Sequence, residues 1–318
     1  MRRPLLRTLP PRTVVNREAA LLELLSQLRS RDYRFTCVTP ATHARVLARP
    51  LTGAPSLRDI FGWNRPFDRE QLSDQLVELL ETADCLDDDG GRVRSRIRVA
   101  SLGDFLLLHS SFPTEAEDAV FFGPDSYRFA SFITAHLPSL FPGARVVDMG
   151  AGNGVGGLLC KKREPHATVT LVDVNNAALE LARVNAEAAG LSVDFLQSNE
   201  VPPGCDLVVA NPPYMADEGH RTYRDGGDLI GGELSRLWTE QALTALRPGG
   251  TLLLYTGAAF VDGHSPLIEA ISETCAAAGV VPVIEEIDPD VFGEELDRPA
   301  YASVERIAAI GVRITMPG

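Results

Sequence analysis

The amino-acid sequence predicts a doubly wound α/β sheet over most of its length, preceded by a smaller α+β unit. Three observations carry this. From Arg145 onward, short runs rich in Val, Ile and Leu alternate with helical repeats. The first of those runs ends in a glycine loop that opens a helix. Upstream, amphipathic helical repeats give way to alternating, strand-like sequence. The chain has 318 residues, more than the roughly 250–300 at which a single core stops growing. Two domains, 1–118 and 119–318, are therefore expected, joined at the acidic, polar stretch Thr114–Asp118.

Taken in order, Ala19 to Arg29 is apolar at helical spacing and predicts a helix, as does Pro40 to Ala48. Pro55 to Phe61 predicts a short helix or turn. Asp68 is an N-cap candidate for a helix to Thr82, with Leu72, Leu76, Leu79 and Leu80 on one face. Asp87-Asp88-Asp89-Gly90-Gly91 reads as a turn. Arg92–Val99 and Phe105–His109 read as the two strands of one hairpin, giving a winged-helix-like unit. Such a unit suits nucleic-acid recognition, dimerisation or a lid over a pocket. Beyond it, strands are expected at Arg145–Met149, Thr168–Val174, Val193–Gln197, Asp206–Ala210, Thr251–Tyr255, Val281–Ile287 and Ile307–Ile314. Helices are expected at Gly154–Lys162, Asn176–Ala189, Leu234–Leu246 and Pro266–Ala278.

Composition narrows the class. An apolar fraction of 45% and a charged fraction of 23% are those of an ordinary globular protein. No apolar run approaches the roughly 20 residues needed to span a bilayer, and Met1–Val15 is Arg-rich and broken by Pro4, Pro10 and Pro11. No secretory signal and no membrane partner are expected. The cysteines Cys37, Cys85, Cys160, Cys205 and Cys275 are odd in number and form no C-x-x-C pair. That predicts a reducing cytoplasm, with no disulfide frame and no metal site. Residues 1–120 hold 17 basic and 17 acidic side chains, whereas 121–318 hold 13 and 26, which accounts for the net charge of −13. An acidic C-terminal half is a poor partner for phosphate backbones. Residues 1–34 carry eight Arg against three acids, so contact with nucleic acid would fall there or on a local patch.

Val146-Val147-Asp148-Met149-Gly150-Ala151-Gly152-Asn153-Gly154 runs from a strand through a glycine loop into a helix. Glycine is required where the backbone turns sharply and approaches a ligand closely. Asp148 closes the strand, where its carboxylate can orient the loop or meet a ligand's amino group. Asp173 ends the next strand, where a carboxylate suits the two hydroxyls of an adenosine ribose. Gly152-x-Gly154-x-x-Gly157 also satisfies the dinucleotide pattern G-x-G-x-x-G, a weak signal alone. The acid at the strand end and the motif that follows favour S-adenosylmethionine, whose sulfonium is cationic, over a dinucleotide.

That motif is Asn211-Pro212-Pro213-Tyr214, after the fourth strand of the sheet. The Asn211 side-chain oxygen and the Pro212 carbonyl can both accept hydrogen bonds from one amide or amine nitrogen. Proline offers no competing N–H. Two acceptors draw the nitrogen lone pair out of conjugation, and Tyr214 can stack on a planar amide or base. His220, six residues beyond Tyr214, is read as a solvated loop histidine rather than a general base.

With these residues the chain resembles the class I S-adenosylmethionine-dependent methyltransferases. The likeness covers residues 120–318 and includes the Leu246-Arg247-Pro248-Gly249-Gly250 turn before a strand. It implies a Rossmann-like sheet of seven strands in the order 3-2-1-4-5-7-6, the last antiparallel. The Asn-Pro-Pro-Tyr motif is similar to that of the amino-methyltransferases of adenine and guanine and of the release-factor glutamine N5-methyltransferases. It implies that Asn211, Pro212, Pro213 and Tyr214 hold the acceptor nitrogen. It implies a cofactor site of Asp148, Gly150, Ala151, Gly152, Gly154, Asp173, Val174 and Asn211, with Ser198 and Asn199 near the adenine. A segment such as Phe121–Phe129 covers the cofactor in related enzymes. Two features depart from the release-factor enzymes: Tyr223-Arg224-Asp225-Gly226-Gly227-Asp228 stands where they carry an acidic-proline pair, and their N-terminal domain is a helical bundle. The Tyr-Arg-Asp-Gly-Gly segment and the tail Asp288–Leu296 are shared instead with bacterial two-domain methyltransferases. Arg224 and Asp225 are expected either to bind substrate or to pair with each other. The expected reaction is N-methylation of a planar NH2, on a protein glutamine or a nucleic-acid base, with protein favoured by the acidic domain. The alternative is small-molecule methylation with residues 1–118 as lid or dimer interface.

Overall fold

The computed structural model describes residues 11–318 apart from Glu115, 218–220 and Thr222, with side chains from Asn16 onward. The chain divides into two compact units, residues 1–113 together with Glu187–Ala189, and the remainder of 114–318. No helix among the described residues is long and apolar enough to cross a membrane.

The first unit opens with α1 (Pro11–Ser30), which buries Leu21, Leu24, Leu25 and Leu28, the i, i+3, i+4, i+7 face of a helix. It packs on α4 (Asp74–Thr82). Between them α2 (Pro40–Leu47) is capped by Thr39 with proline in its first turn, and α3 (Leu57–Phe61) by a Ser56/Asp59 capping box. The single helix expected from Asp68 is two pieces. Asp68 and Gln71 close one 3-10 turn, Leu72 turns extended, and α4 starts afresh after Ser73.

The single hairpin is also corrected. There are two, β1 (Leu86–Asp89) with β2 (Arg92–Ser95), and β3 (Ile97–Leu102) with β4 (Phe105–Ser110). The acidic run is a strand because arginines lie opposite it: Asp87 faces Arg94, Asp89 faces Arg92, and Arg94 reaches Asp89 at 2.9 Å. The turn itself is only Gly90-Gly91, both at positive φ, as a two-residue hairpin loop requires. Inside this unit Cys37, His43, Arg98 and His109 are buried together. Arg98 donates to the Gly62 carbonyl at 2.8 Å, and His43 Nε2 pairs with the Trp63 carbonyl at 2.9 Å.

The second unit is built on seven strands in the order β10-β11-β9-β8-β5-β6-β7. These are β5 (Arg145–Met149), β6 (Thr168–Asp173), β7 (Asp194–Gln197), β8 (Cys205–Ala210), β9 (Leu246–Phe260), β10 (Val283–Asp288) and β11 (Arg306–Thr315). All neighbours are parallel except β11, antiparallel to both β9 and β10. Numbered within the sheet, this is the 3-2-1-4-5-7-6 order expected, and the Rossmann-like fold holds. The helices are α5 (Pro124–His136), α6 (Val155–Arg163), α7 (Asn176–Ala188), the single turn α8 (Asp228–Gly231), α9 (Glu233–Ala245) and α10 (Pro266–Ala277). The core lies between sheet and helices, with Met149, Val208, Leu254 and Ile310 of the strands against Trp238 and Ile271. Strand order reverses at β5: β6 lies on one side and β8 on the other. The loops after β5 and β8 thus flank the switch point, where open α/β sheets bind ligands.

Candidate functional site

Two loops meet that description. The first is the glycine loop after β5. Gly150, Gly152 and Gly154 all take positive φ (67°, 55° and 90°), so each needs the left-handed region that glycine reaches freely. A Cβ at Gly150 would lie 2.3 Å from the Trp238 ring, whereas one at Gly152 would meet open space. The loop is therefore buttressed on its Gly150 side and free on its Gly152 side. Ala151 donates its N–H to the Val172 carbonyl at 2.9 Å, tying the loop to β6.

Two carboxylates hold the loop from beneath. Asp148 is buried and accepts the Gly157 N–H at 2.7 Å, fixing the first turn of α6. Burial pushes its carboxyl up to about 7, the Gly157 N–H working against that rise and the Asp173 charge adding to it. Asp173, at the end of β6, accepts the Gly152 N–H at 2.8 Å on one oxygen and the Asn175 N–H at 2.8 Å on the other. Burial raises its carboxyl too, and those backbone donors oppose it. Val174, one residue on, is 46% exposed, an apolar side chain left partly uncovered. Ser198 donates its N–H to the Asp173 carbonyl at 3.1 Å, and the Asn199 carbonyl accepts from Gln241 at 3.4 Å. The structure thus gathers Asp148, the glycine loop, Asp173, Val174 and Ser198 around the ends of β5 and β6.

The second loop is Asn211-Pro212-Pro213-Tyr214, directly after β8. The Asn211 side-chain oxygen is buried and has no hydrogen-bond partner among the described residues. An unmet buried acceptor costs about 1–3 kcal/mol, so its retention points to a donor that arrives with a ligand. Tyr214 is half-buried, and burial, with the Asp125 charge next, pushes its hydroxyl well above the ordinary tyrosine value. Its ring lies on β9 where Gly257 leaves room: a Cβ there would come within 2.4 Å of it. Phe292, itself left-handed at φ 58°, meets the ring edge-on with centroids 5.9 Å apart.

What holds this loop was only partly visible in sequence. Met215 donates to the Arg224 carbonyl at 3.0 Å, and Gly226 to the Met215 carbonyl at 2.9 Å. A Cβ on Gly226 would fall 1.8 Å from the Gly231 carbonyl oxygen, which explains the glycine in Tyr-Arg-Asp-Gly-Gly. Arg224 does not pair with Asp225. It lies 3.3 Å from Asp217 and 2.5 Å from Glu295, while Asp225 accepts the Gly227 N–H at 3.1 Å. Its guanidinium is thus engaged by the protein rather than presented to a substrate. The Tyr301 hydroxyl accepts the Ala216 N–H at 2.8 Å. Asp125, Tyr255, Gly257, Phe292, Glu295 and Tyr301 were given no individual role from sequence. The sequence signals near them were the Phe121–Phe129 run, which holds Asp125, and the Asp288–Leu296 run, which holds Phe292 and Glu295. His220 lies outside the described residues.

Residues 122–277 match the family model of the methyltransferase small domain. Over 121 residues the chain is 36% identical to the ribosomal RNA small subunit methyltransferase C of Hahella chejuensis, covering 37% of this chain and 32% of that one. Over 164 residues it is 37% identical to the release factor glutamine methyltransferase of Deinococcus radiodurans, covering 48% and 55%. The match therefore spans about a third to about half the length of these relatives. A crystal structure of a methyltransferase from Pyrococcus furiosus aligns with a TM-score of 0.43 at 20% identity, covering 63% of this chain and 89% of that one.

Proposed function

We propose, from the match of residues 122–277 to the family model of the methyltransferase small domain, that this chain is an S-adenosylmethionine-dependent N-methyltransferase acting on a planar NH2 of a macromolecule. The observation that carries this is the buried, unpartnered Asn211 oxygen at the switch point beside the glycine loop. The relatives' names give both RNA and a release factor as acceptors, and both offer planar NH2 groups.

The residues fit S-adenosylmethionine. The open space at Gly152 accommodates close approach of a ligand, Asp173 lies at the strand end that suits a ribose, and exposed Val174 offers an apolar surface to a base. When bound, the cofactor supplies an electrophilic methyl on a cationic sulfur. Asn211 accepts one N–H of the acceptor through its free oxygen, and the Pro212 carbonyl is the second acceptor. Together they orient the nitrogen and expose its lone pair, catalysis by positioning and by fixed dipoles. Tyr214 stacks on the plane of the acceptor. No strong base is needed, because the methylated nitrogen turns acidic and sheds its proton afterwards. Residues 119–318 make up the transferase domain in this reading, and 1–118 the domain for acceptor recognition, lid or dimerisation.

The test is transfer of labelled methyl from S-adenosylmethionine into a lysate fractionated into protein, RNA, DNA and small molecules. Label recovered as N-methyl in protein or nucleic acid supports the reading. Label confined to small molecules supports the alternative, and label found only as O- or C-methyl removes the Asn211 mechanism.

A further inference from the structure

Ahead of α9 the chain reads Gly226-Gly227-Asp228-Leu229-Ile230-Gly231-Gly232. Glycine pairs flank this turn on both sides, yet two of its left-handed positions fall on the residues between them. Leu229 (φ 55°, ψ 40°) and Ile230 (φ 54°, ψ 42°) are both left-handed. A Cβ makes that region costly, and a branched Cβ more so. A turn that only had to close could carry glycine at both positions. Glycine stands instead where the backbone is crowded. A Cβ at Gly231 would lie 2.5 Å from the Met215 carbonyl carbon and 2.6 Å from the Tyr214 carbonyl oxygen, and one at Gly226 would lie 2.8 Å from the Pro213 carbonyl oxygen. The turn is therefore seated on the backbone of residues 213–216, and the Leu234 N–H closes it on the Gly226 carbonyl at 2.9 Å.

Leu229 and Ile230 are half-buried, so each leaves apolar surface next to the loop that carries Asn211. The charges around them suit one kind of macromolecule. Residues 211–240 hold six acids against three arginines. Each of those arginines is matched to carboxylates. Arg221 donates to Asp217 at 2.9 Å, Arg224 lies between Asp217 and Glu295, and Arg236 lies 2.7 Å from Glu233 and 3.2 Å from Glu240. Exposed Asp228 adds a negative charge at the head of the turn. A phosphate backbone arriving here would meet excess negative charge. A polypeptide brings no such charge of its own, and its apolar side chains gain by burial against Leu and Ile.

We propose that Leu229 and Ile230 are specificity-determining residues of the acceptor site, which contact an apolar stretch of polypeptide flanking the NH2 group to be methylated. This rests on the reading of residues 211–214 as the acceptor loop. Left-handed leucine and isoleucine persist only where their surroundings over-determine them, and such positions cluster at functional sites. Here the crowded glycines and the backbone of 213–216 hold the turn, and the result is two apolar side chains kept at the edge of the acceptor loop. A pair that served the core would be as buried as Met215, which is 3% exposed.

The test pairs methyl transfer with stability. Leu229→Gly and Ile230→Gly each relieve a left-handed position and remove an apolar side chain. Both should melt at the wild-type temperature or above it. Each should raise the apparent KM for the protein fraction of a lysate about tenfold, the scale of a lost apolar contact, with kcat and S-adenosylmethionine affinity nearly unchanged. Leu229→Met keeps an apolar side chain and should keep KM near the wild-type value. Lower melting temperatures in both glycine variants would mean that the pair serves the fold, and an unchanged KM in both would mean that the acceptor does not touch it. Either result overturns the proposal. N-methyl recovered only in RNA or DNA overturns it too, while leaving the N-methyltransferase reading in place. Label in no macromolecular fraction removes that reading and this proposal with it.

Discussion

Arg224, ten residues beyond Tyr214, and Glu295, 71 positions later, form a 2.5 Å ion pair with little exposure on either side chain. The Tyr223–Asp228 and Asp288–Leu296 segments, both singled out in the sequence, therefore meet in space. Arg224 also approaches Asp217, and Glu295 holds Arg298 at 2.9 Å. The contacts at Arg224 fall short of hydrogen-bond geometry, so the attraction is electrostatic. Asp288, Phe292, Glu295 and Tyr301 each touch α5 or the loop 211–224, so the segment between β10 and β11 serves as a buttress.

Removing one partner of such a pair leaves an uncompensated buried charge. Glu295→Ala is expected to destabilise the protein by about 2–4 kcal/mol in urea unfolding, and Glu295→Gln by less. A change below about 0.5 kcal/mol, the size typical of a surface substitution, would show that Arg224 relies on Asp217 alone.

Asp173→Ala has two expected consequences. Losing a charged hydrogen-bond partner from the ribose position should weaken S-adenosylmethionine binding by about 1.5–3 kcal/mol. The same change frees the Gly152 and Asn175 N–H groups that the carboxylate now holds, so unfolding without ligand should also become easier. Calorimetry and melting on one protein separate the two. Unchanged affinity would mean that another residue holds the ribose.

These results show where sequence was informative. The glycine loop, Asp173 and Asn211–Tyr214 are contiguous motifs whose geometry is set locally by strand ends and by glycine and proline torsions. They could be read residue by residue. The strand order followed from resemblance, and the structure agrees. The Asp87–Asp89 run was misread because acidic residues before two glycines look like a turn until the facing arginines are known. Asp125 and Glu295 were illegible for a related reason: each acts on a side chain about 70 to 130 positions away, and no periodicity or spacing reports such a contact.

Acid should loosen the two units differently. Burial first, then the Arg98 charge, lowers His43 to about 4 and His109 well below the ordinary histidine value. The unfolded chain binds those protons first, so stability from these residues is present above about 6.5 and is lost as pH falls toward 4. Asp148 has the opposite sign. Its folded value is raised to about 7, so its contribution is present below about 3.9 and is lost as pH rises to 7. Amide exchange corrected for its intrinsic pH dependence should therefore quicken in β3 and β4 between pH 6.5 and 4, and slow in α6. Parallel changes in both would remove the argument.

Asn211→Ala separates function from stability most sharply. In a structural Pro-Pro turn the asparagine would serve the fold, and its loss would lower the melting temperature. Here its oxygen is buried without a partner, so truncation removes an unmet acceptor and should leave stability unchanged or raise it by about 1 kcal/mol. Methyl transfer should nevertheless fall by at least about 10²-fold, the scale seen when one well-placed polar group leaves a catalytic site. Affinity for S-adenosylmethionine should move by less than about 0.5 kcal/mol, as expected of a change that spares the glycine loop and Asp173. The three readouts together exclude the neighbouring explanations. Lost activity with lost stability would mean a structural asparagine. Lost activity with lost cofactor affinity would place the side chain at the cofactor, and full activity in a stable protein would leave the acceptor nitrogen without the partner assigned to it.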